Sequence, residues 1–200
     1  MILLGADAGF LRPGLVIVDI DESTLDLETS TVLEVMTIET ERMDKKSRKL
    51  QDVSVAEDDA SRIKKIVVGI EDIVTRHRPK LAIVELPISG AKSSVAAKGM
   101  AFASATFVST LYCLKVDTVL ISPYDNKIGS TGNVKAEKEE VIAAVVSIWP
   151  DISWPLMRSK SRAKEPDNGK LEALSDALST IITYVKLRKK NAKLVLVKHE

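Results

Sequence analysis

The sequence predicts an α/β fold in which a mixed β-sheet carries helices on both faces. Three strand-like segments follow one another at the N-terminus with no helix between them. Further along the chain, two buried strands are separated by a helix. Such a strand, helix, strand run implies that these two strands pair in parallel.

The strands are predicted from apolar runs and from the turn residues between them. The first three cover residues 2–6, 14–20 and 32–39, of which the first two are almost continuously apolar and the third mixes apolar with polar residues. The two later strands cover Leu81–Val84 and Val116–Ile121. Both are short and apolar, which is typical of strands buried on both faces.

Four helices are predicted where apolar residues recur at helical spacing. They cover about residues 58–77, 93–114, 136–148 and 171–185. Pro79 lies just beyond the first helix and marks its end. The lysine-bearing segment before the third helix is predicted as a loop, as are the charged stretches 45–49 and 157–170.

Length and composition favour one domain over residues 1–200, with a basic C-terminal extension from about residue 187. The 200 residues are 45% hydrophobic, which is enough for a substantial core. A net charge of +1 neither demands nor excludes a polyanionic partner. The single cysteine, Cys113, excludes an intramolecular disulfide or a cysteine-rich zinc site and is expected in the core.

We expect neither export nor membrane insertion. Residues 1–4 are apolar, but they lack a basic flank and run directly into Gly5 and Asp7. The longest uncharged stretch, residues 99–114, is too short to span a membrane. We therefore expect a cytoplasmic protein, associated with the nucleoid or present in the cytoplasm of a virus-infected cell, with no membrane partner.

Acidic residues stand at the ends of two predicted buried strands and inside the apolar last helix. Asp7 ends the first strand just before Gly9, and Glu85 ends the fourth strand. Asp176 lies in the last helix, with Glu172 one turn earlier on the same face. Two acids at the ends of neighbouring strands repel one another unless a cation or protons lie between them. Taken singly, the two strand-end acids are more often turn caps than functional residues, and the two helix acids are as readily the solvated edge of an amphipathic helix. The prediction of a metal site therefore depends on the group.

Short motifs in one order link the chain to a known family. Residues 5–9 read Gly-Ala-Asp-Ala-Gly, residues 83–85 read Ile-Val-Glu, and residues 176–178 read Asp-Ala-Leu. A Pro-x-x-x-Lys, Thr-Gly and Lys spacing lies between the last two motifs at Pro123, Lys127, Thr131, Gly132 and Lys138. With these motifs the chain resembles the RuvC-type Holliday-junction resolvases, of the RNase H-like or retroviral-integrase-like superfamily, from Met1 to about residue 186.

The resemblance implies an RNase H-like sheet, with three antiparallel strands followed by two parallel ones, and a metal-dependent endonuclease. Asp7, Glu85 and Asp176, aided by Glu172, would bind two Mg²⁺ ions, for which Mn²⁺ can substitute. Hydrolysis of the phosphodiester bond would leave 5′-phosphate and 3′-hydroxyl ends. Lys138 would act in catalysis by offsetting charge near the scissile phosphate.

The resemblance also implies DNA contacts and partners. The residues expected to contact DNA are Lys127, Lys138, Thr131, Gly132, Ile88 and Lys92. Ile88 occupies the loop in which the family often presents an aromatic residue that wedges between bases. The expected partners are a four-way or otherwise branched DNA and a second copy of the chain, packed through the small-residue helix 93–114. A buried intramolecular helix explains that segment equally well, and a branch-migration helicase is a further candidate partner.

The chain also departs from the family, which leaves two other functions open. The family usually places Asp or His three residues before the final Asp, where this chain has Ala173, so Glu172 is the candidate substitute. Asp19 and Asp21 follow the second strand, but no family motif covers them. One alternative is an RNase H-like nuclease for RNA–DNA hybrid or flap DNA. The other is a nucleic-acid-binding protein whose catalytic site has decayed.

Overall fold

The computed structural model describes residues 1–87, 93–152, 154 and 168–199. The strands are β1 (Ile2–Asp7), β2 (Gly14–Asp19), β3 (Thr31–Thr37), β4 (Leu81–Glu85), β5 (Asp117–Ile121) and β6 (Val195–Val197). The helices are α1 (Lys45–Leu50), α2 (Val55–His77), α3 (Ser94–Cys113), α4 (Pro123–Thr131), α5 (Lys138–Ile148) and α6 (Asn168–Lys189). In this part of the chain, no helix is long and apolar enough to span a bilayer.

The six strands form one mixed sheet in the order β3-β2-β1-β4-β5-β6. The first three strands pair antiparallel, β1 pairs with β4 and β4 with β5 in parallel, and β6 adds antiparallel to β5. The predicted fold class, three antiparallel strands followed by two parallel ones, is confirmed. The helices α2 and α3 explain the parallel pairs. Each is a crossover that returns the chain to the edge of the sheet where the preceding strand began, so the next strand runs in the same direction.

Each face of the sheet has its own hydrophobic core. Leu3 points to the face covered by α5 and α6, whereas Leu4 and Ala6 point to the face covered by α2 and α3. Because successive side chains of a strand alternate between faces, Asp7 continues the row of Leu3 and faces α6. Glu85 follows Ile83 on β4 in the same way. The two strand-end acids therefore lie on one face of the sheet.

The segment between β5 and α5 is a helix, α4, where the sequence predicts a loop. Ser122 caps its first turn by accepting the Asp125 amide at 3.0 Å, and Pro123 is its first residue. Gly132 ends it in the left-handed conformation, with φ of 80°. The prediction was wrong because α4 has little apolar periodicity, so its cap residues are its main sequence signal.

Three further features differ from the sequence prediction. The charged stretch 45–49 lies in the short helix α1, none of whose residues is buried. The basic C-terminal segment continues α6 to Lys189 and then supplies the edge strand β6. Cys113, expected in the core, is exposed at the end of α3.

Helix α6 crosses the first two strands at very close range. A Cβ atom built on Gly5 would lie 2.4 Å from the carbonyl oxygen of Ala177, and one built on Gly14 would lie 2.2 Å from that of Ala173. Both distances are far below a normal van der Waals contact, so these positions tolerate no side chain without movement of α6. The contact flanks Asp176 and sets how near this residue comes to the strand ends.

The variant Gly5→Ala should therefore lower the free energy of unfolding by about 1–3 kcal/mol, the usual cost of overpacking a core. Urea denaturation followed by circular dichroism measures this. The matched control is Gly99→Ala in α3, where the added Cβ would meet its nearest neighbour, the Phe10 ring, at 3.4 Å. Alanine in a helix interior should leave stability unchanged or raise it by up to about 1 kcal/mol. Equal stability of the two variants would contradict the close approach of α6.

Candidate active site

The acids at the ends of β1 and β4 lie side by side. Asp7 and Glu85 are register partners in the parallel pair, and the amide of Ala8 continues the ladder to the Glu85 carbonyl at 3.2 Å. Neighbouring strands are about 4.8 Å apart, and both side chains face α6. The structure thus brings together two acids that are far apart in the sequence.

Helix α6 adds Asp176 and Glu172 to this pair. Asp176 precedes Ala177, whose carbonyl packs on Gly5, two residues before Asp7 in β1. The carboxylates of Asp176, Glu85 and Glu172 all raise the pKa of Asp7 by electrostatic repulsion. The four acids therefore form one group, which we call the acidic cluster: Asp7, Glu85, Glu172 and Asp176.

Burial and mutual repulsion favour the protonated forms of these acids. Burial is the larger cause for Asp7, whose pKa lies well above its usual value. Burial, followed by the charges of Glu85 and Glu172, raises the pKa of Asp176 to about 7. Burial also raises the pKa of Glu85. Groups shifted in this way are stabilised in their charged form by a nearby cation.

The turn after Asp7 is held by a buried arginine of α2. Arg62 donates from Nε to the Thr40 carbonyl at 2.7 Å and from a terminal nitrogen to the Phe10 carbonyl at 3.3 Å. Its guanidinium also lies 4.0 Å from the centre of the Phe10 ring. Thr40 in turn donates its amide to the Leu11 carbonyl at 3.0 Å. These contacts fix the backbone that leaves the acidic cluster.

Two lysines lie at the margin of the acidic cluster. The ammonium of Lys127 donates to the Ala136 carbonyl at 2.8 Å, and its charge lowers the pKa of both Glu85 and Asp176. Lys138, the first residue of α5, forms an ion pair with Glu172. The Lys138 side chain is 64% exposed, so it remains accessible to a ligand in solvent.

Two other residues predicted to contact DNA, Thr131 and Gly132, lie at the end of α4. Thr131 donates from Oγ1 to the Lys127 carbonyl at 2.7 Å, and with Gly132 it forms the end of α4. Ile88 and Lys92 lie outside the described residues, as do the basic residues 158–164. The roles given to these residues stay predictions.

Asp19 and Asp21 lie away from the acidic cluster. Asp19 is the register partner of Ile2, at the opposite end of β1 from Asp7, and it pairs with the N-terminal ammonium at 3.3 Å. Asp21 accepts the Ser23 amide at 2.7 Å within its own turn. Their contacts are those of turn residues.

Comparison with known proteins gives matches to solved structures and none by sequence. No protein-family model matches the chain, and no curated protein matches it in sequence. Thermus thermophilus RuvC in complex with a Holliday junction substrate is similar in structure, with a TM-score of 0.67 and 20% identity over 98% of this chain and 99% of that one. The chain has the RuvC fold. A second structure of Thermus thermophilus RuvC matches with a TM-score of 0.66 and 19% identity over 98% of this chain and 100% of that one.

On this RuvC fold, the donor set of the acidic cluster suits a hard divalent cation. Carboxylate oxygens are the ligands that Mg²⁺ prefers, and Mn²⁺ accepts the same ligands. The described residues nevertheless contain no group of three or more His, Cys, Asp or Glu side chains already arranged to hold a metal ion. The acids therefore fit the ion in chemistry and location, but no three of them reach one ion as they stand, so binding would require some of these side chains to rotate toward it.

Sequence reasoning missed one residue of the site, Asn126. This residue is only 2% exposed, and its amide nitrogen donates to the carboxylate of Glu85 and to the Asp176 carbonyl. It directly precedes Lys127 in a segment predicted as a loop, where burial is not expected. The caps at Ser122 and Gly132 were the one signal in the sequence that could have placed Asn126 in a helix.

The pKa of Asp176 predicts how stability depends on pH when metal is removed by EDTA. The folded state holds this proton up to about pH 7, whereas the ordinary value is 3.8. Between these values the folded state binds more protons than the unfolded chain, so stability falls as pH rises. At pH 8, Asp176→Asn should be more stable than the wild type by up to roughly 4 kcal/mol, and near pH 3 the difference should vanish.

Urea denaturation from pH 3 to pH 8 measures this difference. The control is Asp19→Asn, which removes a strand-end aspartate that is half exposed and paired with the N-terminal ammonium. It should give no gain in stability at pH 8. An Asp176→Asn protein that is no more stable than the wild type at that pH would show that burial does not disfavour the charged form of Asp176.

Proposed function

We propose that this chain is a structure-selective, metal-dependent endonuclease that resolves Holliday junctions or other branched DNA. The observation that carries the proposal is the acidic cluster at the carboxyl ends of β1 and β4, facing α6. A fold alone does not specify a function, so the proposal depends on these side chains. It is supported by the similar Thermus thermophilus RuvC structure, which was solved with a Holliday junction substrate.

In this proposal, the acidic cluster holds two Mg²⁺ ions, for which Mn²⁺ can substitute. The ions would activate a water molecule and stabilise the leaving 3′-oxygen, giving 5′-phosphate and 3′-hydroxyl ends. Asp7 and Asp176 must lose their protons to bind a cation, because the charged carboxylate is the ligand. Lys138 offsets negative charge near the scissile phosphate, and Lys127 contacts the DNA backbone as a point charge.

The contacts of Glu172 support its proposed role in place of the family's missing acid. Its carboxylate raises the pKa of both Asp7 and Asp176, so its charge acts on the acidic cluster. Ala173, which stands at the family's usual position, is only 4% exposed, and its carbonyl packs on Gly14.

The proposal includes the assembly and setting of the protein. One domain over residues 1–200, with a basic extension from about residue 187, would pair with a second copy to cut symmetric strands of a junction. The exposed small residues Ala97, Ala101 and Ala105 of α3 support close packing of such a partner. A branch-migration helicase would deliver the junction, in a cytoplasmic setting at the nucleoid or in a virus-infected cell.

The test is cleavage of a synthetic four-way junction compared with duplex, flap DNA and RNA–DNA hybrid, with Mg²⁺ or Mn²⁺. The wild type should make paired nicks in the junction. Asp7→Asn should lower the cleavage rate by more than about 100-fold, since even outer-shell changes at metal sites cost 10- to 100-fold. Binding of the junction should persist, because the variant removes a negative charge.

The control for this test is Asp19→Asn. Asp19 also ends a strand, but it lies at the opposite end of the sheet from Asp7, so this variant should cleave the junction like the wild type. Cleavage confined to flap DNA or hybrid would retain a nuclease and reject a resolvase. Absence of metal-dependent cleavage on every substrate would instead favour a nucleic-acid-binding protein with a decayed site.

The proposed role of Lys138 predicts a change in the salt dependence of junction binding. In Lys138→Gln, the binding constant for the junction should fall less steeply with salt. Loss of one phosphate contact should reduce the magnitude of the slope of log binding constant against log salt concentration by about 1. The control is Lys80→Gln. Lys80 lies just before the start of β4, and like Lys138 it is exposed and paired with a glutamate, Glu22. Slopes for both variants equal to that of the wild type would show that Lys138 serves only its ion pair with Glu172.

A further inference from the structure

Asn126 connects the two elements that carry Glu85 and Asp176. It lies in the first turn of α4, and its side-chain nitrogen donates one hydrogen bond to a carboxylate oxygen of Glu85 on β4. The same nitrogen lies 3.3 Å from the backbone carbonyl of Asp176 on α6. One buried amide group thus contacts both residues and sets the spacing between them.

The orientation of this amide is itself fixed by α6. The hydroxyl of Thr183 donates to the side-chain oxygen of Asn126 at 3.0 Å, and the Asn126 backbone carbonyl lies 3.1 Å from the same hydroxyl. Because the oxygen of the amide is turned toward Thr183, its two N–H groups point toward Glu85 and Asp176. Thr183 is fully buried, and Gly129 leaves the space that brings α4 this close to it.

A hydrogen bond to one carboxylate oxygen restricts a torsion that is otherwise broad. The terminal torsion of a glutamate has no sharp staggered minima, so the packing of its methylene groups does not by itself orient the carboxylate. The helices α4 and α6 are also joined without Asn126, since Lys186 donates to the Ser130 carbonyl at 3.1 Å. The two helices therefore do not depend on the Asn126 amide alone, and the hydrogen bond from this amide is the contact that orients the Glu85 carboxylate.

We propose that Asn126 is a positioning residue, oriented by Thr183, that holds the Glu85 carboxylate in place to bind metal in the acidic cluster. The inference rests on the proposed function, because it takes Glu85 as a metal ligand. Partners that orient the ligands of a metal site contribute about 10- to 100-fold to metal affinity or activity. The role therefore has a measurable size that differs from a loss of fold stability.

The test is titration of the purified full-length protein with Mn²⁺, followed by electron paramagnetic resonance of the unbound ion. Asn126→Leu keeps the number and branching of the side-chain heavy atoms and removes both donors. Its Mn²⁺ dissociation constant should rise by about 10- to 100-fold. Affinity for a four-way junction in EDTA should stay at the wild-type value, and the single-turnover cleavage rate should be partly restored by raising the Mn²⁺ concentration.

Substitutions in α6 separate positioning from packing. Thr183→Val removes the hydroxyl that orients Asn126, so it should weaken Mn²⁺ binding in the same direction but less strongly, and Thr183→Ser should restore it. The matched control is Thr180→Val, which removes an equally buried hydroxyl of the same helix that donates to the Ala177 carbonyl at 2.7 Å. This control should lose stability without losing Mn²⁺ affinity.

Wild-type Mn²⁺ affinity in folded Asn126→Leu would overturn the inference. If that variant does not fold, equal Mn²⁺ affinity of Thr183→Val and Thr180→Val would overturn it instead. If the wild type binds no Mn²⁺, or if its Mn²⁺ binding does not depend on Asp7, the proposed function is contradicted and this inference with it. If the wild type binds Mn²⁺ in a way that depends on Asp7, and the variants at positions 126 and 183 bind it with unchanged affinity, only this inference is contradicted.

Discussion

The close approach of α6 to the first two strands is the constraint on which the rest of the site depends. Gly5 and Gly14 have no side chain to keep the helix backbone away, so the carbonyls of Ala177 and Ala173 pack directly on the strands. This contact carries Asp176 to the sheet edge where β1 and β4 end in acids. A side chain at either glycine would push α6 away from the strands and so separate the third carboxylate from the first two.

The same contact creates an electrostatic cost. Carboxylates brought together in a buried region lose hydration and repel one another, which is why the pKa of Asp176 rises to about 7. Lys127 and the amide of Asn126 lower the pKa of Glu85, yet burial still outweighs them. The fold therefore gathers acids at a place where their charged forms are unfavourable, and bound divalent cations would stabilise those charged forms in the proposed mechanism. In that mechanism, the stability lost at the acidic cluster would have its physical reason in metal binding rather than in folding.

The sequence predicted those parts of the molecule that follow from local patterns. Apolar runs locate β1, β2, β4 and β5, and an acid at the end of a buried strand is visible without a structure. Helix α4 was missed because its two buried residues, Asn126 and Ser130, are polar and so leave no apolar stripe in the sequence. Strand β6 was missed because a three-residue strand has no pattern of its own. The role of Asn126 depends on contacts with Glu85 and Thr183, which lie 41 and 57 residues away, so no local pattern reports it.

In the proposed nuclease, the position of Glu172 would let the RuvC fold keep its chemistry while one ligand position changes. In a helix, neighbouring residues point about 100° apart, so an acid at 172 does not simply replace one at 173. Ala173 faces the core, whereas the Glu172 side chain is 38% exposed and paired with Lys138. A carboxylate at this rim acts on Asp7 and Asp176 through its charge and holds a lysine at the mouth of the site at the same time. In the proposed nuclease, a phosphate entering the site competes with Glu172 for Lys138, and the glutamate released from that pair is then available to a cation. The departure from the family pattern would thus couple the arrival of DNA to the completion of the metal site.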